Sequence, residues 1–313
     1  MAGWSTGNMD HLIRSEIWSS ELKDVLLDDL QAQGYVRWLS EFPDGNTFTI
    51  PSIGTANVRD YNEGDSVVYD AMDTGEFQFS ISEYVSSATY ITNKAKQDSF
   101  YMNELVSSFV PKQRRAIEEK LETDILALSG SQTASNVNSI NGAEHRFVGT
   151  GSNEIMAPAD FAKAKYGLKK ANVPMSNLVA IVDPSVGYAL ETSSNLVNVS
   201  NNPRWEGVVA DGLTSGMRFV KNVYGFDVYE SNYLTDANET IGGVTTAAGK
   251  ANMFFSAEGS VTPFVGAFRQ MPQVDSEYNK DKQREEYVTT TRYGVQLYRP
   301  ENLVCVLTDT DQV

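Results

Sequence analysis

The sequence predicts an α+β chain with an extended arm, and three observations predict it. Residues from Gly45 to Gln97 alternate apolar and polar at both ends (Phe48, Ile50; Phe77, Phe79, Ile81), the period of half-exposed strands. A long amphipathic run fills 100–128, and residues 158–262 interleave short helical stretches with apolar strands. Composition permits a real core: 313 residues, 41% hydrophobic, with 15 Tyr and 14 Phe.

An amphipathic helix is expected over Ser15 to Gln33, where Trp18, Leu22, Val25, Leu26 and Leu30 recur at three- and four-residue steps and Gly34 supplies a stop. The arm follows, opening at Gly45-Asn46-Thr47-Phe48-Thr49-Ile50-Pro51 and returning through Phe77-Gln78-Phe79-Ser80-Ile81-Ser82-Glu83-Tyr84 around an acidic, glycine-punctuated middle. Two strands of roughly 15 residues would span on the order of 50 Å. An isolated two-stranded ribbon is marginal in water, so such an arm is expected to rest on another body.

Tyr84 to Thr92 continues as a strand, and Asp98 or Ser99 caps a helix from Phe100 to Leu128, roughly 45 Å long. Its stripe is Leu105, Phe109, Ile117, Leu121, Ile125 and Leu128. Opposite it, Lys112, Arg114, Arg115, Glu118, Glu119, Lys120, Glu122 and Asp124 make a mixed-charge face, and Pro111 is expected to kink or restart the helix. Ser129 to Glu154 reads as a long polar loop. A helix over Pro158–Ala171, a buried strand at 178–182, a helix opened by Pro184, strands turning at Tyr224-Gly225 and a strand at 251–256 follow. Strand signal returns over Val265–Arg299, interrupted by a polar loop from Asp275 to Arg284, and Asn302–Leu307 is a last apolar strand.

The residues exclude several classes of function. A net charge of -16, with no basic run longer than Lys112-Gln113-Arg114-Arg115, argues against direct recognition of nucleic acid. Two histidines in unrelated contexts, His11 and His145, and one cysteine, Cys305, assemble neither a catalytic constellation nor a zinc spacing. Gly242-Gly243 through Gly249-Lys250-Ala251 fails as a phosphate loop: the glycine spacing is too long and Ala251 stands where Ser or Thr would hold magnesium. No apolar run reaches membrane-span length, and no signal peptide is apparent. The reading is of a non-enzyme with no cofactor and no metal.

The order of these elements resembles the major capsid proteins of tailed bacteriophages with the Hong Kong 97-type fold. The phrases that carry it are Thr49-Ile50-Pro51, Val182-Asp183-Pro184-Ser185, Gly225-Phe226-Asp227-Val228-Tyr229-Glu230-Ser231-Asn232 and Tyr298-Arg299-Pro300-Glu301. The resemblance implies an N-terminal arm (1–43), an extended β-hairpin loop (44–83), a peripheral domain (84–157 and 263–300) with a spine helix at 98–128, and an α/β axial domain (158–262 and 301–313). It implies a structural subunit that self-assembles into pentamers and hexamers of an icosahedral viral head around double-stranded DNA, without sequence-specific binding. The virion capsid is the expected location, assembled in the host bacterial cytoplasm. Encapsulins, shells that package cargo enzymes, share the fold and are the alternative.

The expected partners are further copies of the chain, a portal protein and a cementing or decoration protein. A separate scaffolding protein is also expected, because the first helix begins within about fifteen residues of Met1 and leaves no room for a fused one. The family's best-known member joins a loop lysine to a neighbour's asparagine. No lysine occurs here between Lys23 and Lys94, so a shell without those links is expected. The loop carries Asp60, Glu63, Asp65, Asp70, Asp73 and Glu76 instead, and these are expected to meet Arg269, Lys280, Lys282 or Arg284 on a neighbouring copy.

Overall fold

Two sheets and one long helix organise the chain in the computed structural model, which describes Leu30 and residues 32–40, 47–53, 60, 63, 66, 74–98, 102–132, 139–192, 219–259 and 261–310. The first strands are β1 (Val36–Trp38), β2 (Thr47–Ile53), β3 (Thr74–Ser80) and β4 (Glu83–Thr92). Helices α1 (Asn93–Asp98) and α2 (Met102–Ala127) follow, then the short strands β5 (Ser139–Ile140), β6 (Ala143–Glu144) and β7 (Arg146–Val148). Next come α3 (Pro158–Lys170), β8 (Leu178–Val182), α4 (Pro184–Thr192), β9 (Phe219–Val223) and β10 (Phe226–Glu230). The chain closes with β11 (Thr240–Ile241), β12 (Val244–Thr245), β13 (Gly249–Ser256), β14 (Phe264–Asn279), β15 (Arg284–Leu297) and β16 (Val304–Asp309).

The central sheet has the order β7-β16-β13-β8-β10-β9. Strand β8 in its middle is apolar without interruption because both of its faces are covered. Leu178, Ala180 and Val182 of β8 face one core with Phe161, Leu168, Val186, Leu190 and Phe254. Val179 and Ile181 face the other, with Met253, Phe255, Cys305 and the α2 residues Leu121, Ile125 and Leu126. Phe161, Phe226 and Phe254 meet edge to face in the first core, with centroids 5.1 to 6.5 Å apart. Asp160 tethers the start of α3, accepting from the backbone N–H of Ala157 (2.8 Å) and Thr150 (2.9 Å).

The second sheet, β1-β14-β15-β4, is antiparallel except where β1 joins β14 in parallel. It packs α2 on one face: Thr289 donates to Gln113, and Tyr293 donates to Asp124 at 2.6 Å. Thus α2 lies where the two sheets meet, as a beam of about 39 Å.

Several expectations are corrected. The helix at Ser15–Gln33 lies outside the described residues up to Gln31, apart from Leu30; Ala32–Tyr35 is a 3-10 turn with Gly34 inside it rather than past a helix end. Glu122, placed on the charged face opposite the apolar stripe, is instead fully buried, and its carboxylate accepts from the N–H of Ala32 (2.7 Å) and Gln33 (3.3 Å). Asp124 likewise serves the core through Tyr293. Helix α2 continues through Pro111 without a restart. Of 129–154, Arg146–Val148 is a buried edge strand of the central sheet, concealed in the sequence by the surrounding Ser, Asn and Gly. Asp275–Asn279 is not loop: cross-strand pairing carries these polar residues on as strand, leaving 280–283 as the turn. The paired ribbon of the arm has seven residues a strand, Thr47–Ile53 with Thr74–Ser80, and β4 is a separate strand of the second sheet.

Candidate assembly surface

The β2–β3 hairpin is fastened to the body at its root. Phe79 is fully buried with Ile81 against Val265 and Ala267, and Phe77 meets the Tyr298 ring edge-on at 5.0 Å. The root crosses the second sheet closely. A Cβ on Gly294 would lie 2.7 Å from the Ser80 carbonyl oxygen, so only glycine fits there. Beyond the root, Thr47, Thr49, Pro51, Gly75, Glu76 and Gln78 are exposed, as are Asp60, Glu63 and Ser66. The paired strands Thr47–Ile53 and Thr74–Ser80 include the residues whose alternation predicted strands, Phe48, Ile50, Phe77 and Phe79.

Of the acids expected to make contacts, Asp60 and Glu63 are exposed, and Glu76 is exposed and accepts from Gln78 Nε2 (3.1 Å). Asp65, Asp70 and Asp73 lie outside the described residues. Of the bases, Lys280 and Lys282 stand exposed in the β14–β15 turn, and no ion pair is formed by either among the described residues. Arg284 is half-buried and already engaged: its Nε donates to Glu286 at 2.6 Å, and its guanidinium lies 4.3 Å from the centre of the Tyr90 ring. Arg269 is exposed nearer the root of β14, away from that turn.

Sequence reasoning missed the other half of this end. Helix α1 brings Lys94 and Lys96 beside the turn: Asn93 N–H donates to the Gln283 carbonyl (3.0 Å), and Asn93 Nδ2 donates to the Tyr278 hydroxyl (2.7 Å). Lys96 pairs with Glu285 at 2.6 Å, and that hydrogen bond holds the Glu285 carboxyl below the usual carboxylate range. Glu286 is lowered in the same way by Arg284. Five cations, Lys94, Lys96, Lys280, Lys282 and Arg284, therefore gather at the end of the sheet with three acids, Asp281, Glu285 and Glu286, in a chain whose net charge is -16. The signal available was the end of strand β4, which leads Lys94 and Lys96 into the neighbourhood of whatever pairs with Thr92. The sheet face away from α2 is also open, with Tyr84 67% and Tyr90 57% exposed.

The groups with chemical potential are internal. His145 is buried with Nδ1 3.0 Å from the Ala143 carbonyl oxygen, and His11 lies outside the described residues. Burial pushes the Cys305 thiol up to about 12. Arg146, also buried, donates to both carboxylate oxygens of Glu239 (2.9 and 2.8 Å) and to the Ser129 carbonyl (3.1 Å). Among the described residues no group of three or more His, Cys, Asp or Glu could hold a metal ion, and no helix is long and apolar enough to cross a membrane.

Residues 76–306 match the sequence profile of a family described as phage capsid protein. No curated protein matches. Among solved structures, the chain is similar to one from Mycobacterium phage Che8, at 18% identity and a TM-score of 0.69 over 95% of this chain and 97% of that one. It is similar to the capsid of cyanophage P-SCSP1u, at 14% identity and a TM-score of 0.72 over 97% and 94%. The capsid of bacteriophage PhiM1 gives 14% and 0.71 over the same shares. At these identities the likeness is one of fold, and it fits the Hong Kong 97-type capsid fold.

Proposed function

Since the chain belongs to the phage capsid protein family, we propose that it is the major capsid subunit of a tailed double-stranded DNA bacteriophage, closing into pentamers and hexamers of an icosahedral shell. Self-assembly and a place in the virion capsid follow from the family. The observation that carries the fuller reading is the β2–β3 hairpin, held at its root by Phe79 and exposed beyond it. A heterologous shell contact needs an element that reaches past its own body, and a rooted ribbon supplies one.

The division into an arm (1–43), an extended loop (44–83), a peripheral domain (84–157 and 263–300) and an axial domain (158–262 and 301–313) is supported by the two sheets. Two adjustments follow from strand pairing: Arg146–Val148 joins the axial sheet, and Val36–Trp38 joins the peripheral one. Exposed loop acids of one copy meet Lys280 and Lys282 of a neighbour, with Lys94 beside them. Each such exposed pair contributes about 0–1 kcal/mol, and repetition around a shell makes the sum count. A separate scaffolding protein, a portal, a cementing protein and spooled DNA that is not read by sequence complete the assembly, which takes place in the host cytoplasm. An acidic chain suits a container wall, because it does not grip packed phosphate.

Expression followed by sedimentation and negative-stain microscopy tests the reading. Closed shells are expected; protein that stays single-chain under every condition refutes it. Shells bearing Asp65→Asn and Asp70→Asn test the charge contact separately, and unchanged salt sensitivity would remove it.

A further inference from the structure

The two edges of the second sheet are built differently. Beyond β1, strand β14 is an outer edge. It is blunted by register shifts between Phe268 and Gln270 and between Gln270 and Gln273, by Pro272, and by Asp275 and Glu277. Those are the devices that keep an edge from pairing with another chain. Strand β4 has none of them. Its ten residues pair with β15 in unbroken register, and from Tyr84 to Thr92 it contains no proline, glycine or charged residue.

The phase of the ladder shows which groups this edge offers. Asn93 N–H donates to the Gln283 carbonyl, so that pair is hydrogen-bonded and every second pair behind it is too. Val85, Ser87, Thr89 and Ile91 therefore turn their N–H and C=O groups toward β15. Tyr84, Ser86, Ala88 and Tyr90 turn theirs outward, and the same residues have exposed side chains. Among the described residues no strand pairs with that side of β4.

We propose that β3 of a second copy completes this edge, adding antiparallel to β4. The inference rests on the shell reading and names the contact. Charge sets the direction: β4 runs toward the end where exposed Lys94, Lys280 and Lys282 outnumber the exposed Asp281, and the hairpin's far loop carries Asp60 and Glu63. With that loop at the cationic end, β3 runs opposite to β4, the orientation with the better hydrogen-bond geometry. Strand β2 would have to pair in parallel, and its Pro51 has no N–H to donate. The chain's own β3 is not the occupant. Phe79 and Ile81 root it over Val265 and Ala267 of β14, which β15 separates from β4. Backbone pairing gives such a contact strength without demanding particular side chains.

Ala88→Pro is the test, because it removes only an outward N–H. The unassembled variant is expected to keep the far-UV spectrum and melting behaviour of the parent, while the fraction of subunits sedimenting as shells falls about tenfold or more. Ala88→Lys leaves the backbone whole, puts a charge on the edge and carries the same expectation, should the proline variant misfold. Ala88→Cys is then combined in turn with Glu76→Cys and Gln78→Cys, and oxidised shells are run on a non-reducing gel. At least one combination is expected to give covalent multimers, with no competition from the fully buried Cys305. Shells formed normally by both Ala88 variants, or no multimers from either combination, overturn the pairing while leaving the shell reading intact. Multimers from Ala88→Cys alone overturn the choice of β3, because they mean that β4 meets β4. Parent protein that never assembles overturns both.

Discussion

Phe79→Ala isolates what the hairpin root contributes. Phe79 is 0% exposed and packs with Ile81, Val265 and Ala267, whereas the flanking Gln78 and Ser80 are exposed. Truncating a buried Phe costs about 3–5 kcal/mol. The root lies near the surface and can partly collapse, so the lower end, about 3 kcal/mol, applies. The central sheet is built on other residues, so the loss falls on docking of the hairpin rather than on the whole fold. At about 1.4 kcal/mol per factor of ten, the undocked population rises about 100-fold. Hydrogen exchange read by mass spectrometry on the unassembled subunit checks this. Amides of Thr74–Ser80 should exchange about 100-fold faster, with those of Leu178–Val182 and Val304–Asp309 unchanged. Uniform acceleration across the central strands, or none in β3, would refute the reasoning.

Arg146→Met breaks a buried ion pair and leaves Glu239 behind. Because the Glu239 side chain is 28% exposed and can rehydrate, the loss should be about 3 kcal/mol in urea denaturation, partly recovered when Glu239→Gln is added. Lys96→Ala should raise the titration midpoint of Glu285 toward the ordinary carboxylate value, as read by NMR. The sign follows from the lowered carboxyl: the contact between α1 and β15 is intact above the usual carboxylate range and loosens as pH falls through the lowered value. Shells boiled in detergent should run as single chains, since the arm has no lysine between Lys23 and Lys94; a ladder of multimers would contradict this.

Much of the architecture was legible because its signals are periodic. Unbroken apolar strands such as Leu178–Val182 and the Ile117, Leu121, Ile125 stripe announce their surroundings directly. Tyr224-Gly225 marks its turn because both residues take positive φ (51° and 90°). Single residues whose role depends on a distant partner were not legible. Glu122 reads as a surface acid until the N–H groups of Ala32 and Gln33 arrive across the fold. Arg146 sits in a polar stretch until Glu239 buries it. The acid and base candidates fared the same way: local sequence put Lys280, Lys282 and Arg284 together, but only strand pairing adds Lys94 and Lys96 and sets Arg269 apart.

Strand β16 lies between β7 and β13 in the central sheet, although Val304–Asp309 comes late in the chain. A polypeptide still leaving the ribosome cannot close that sheet, and the floor beneath α2 stays open until this strand inserts. Whatever rests on that sheet therefore forms only once Val304–Asp309 is available to insert.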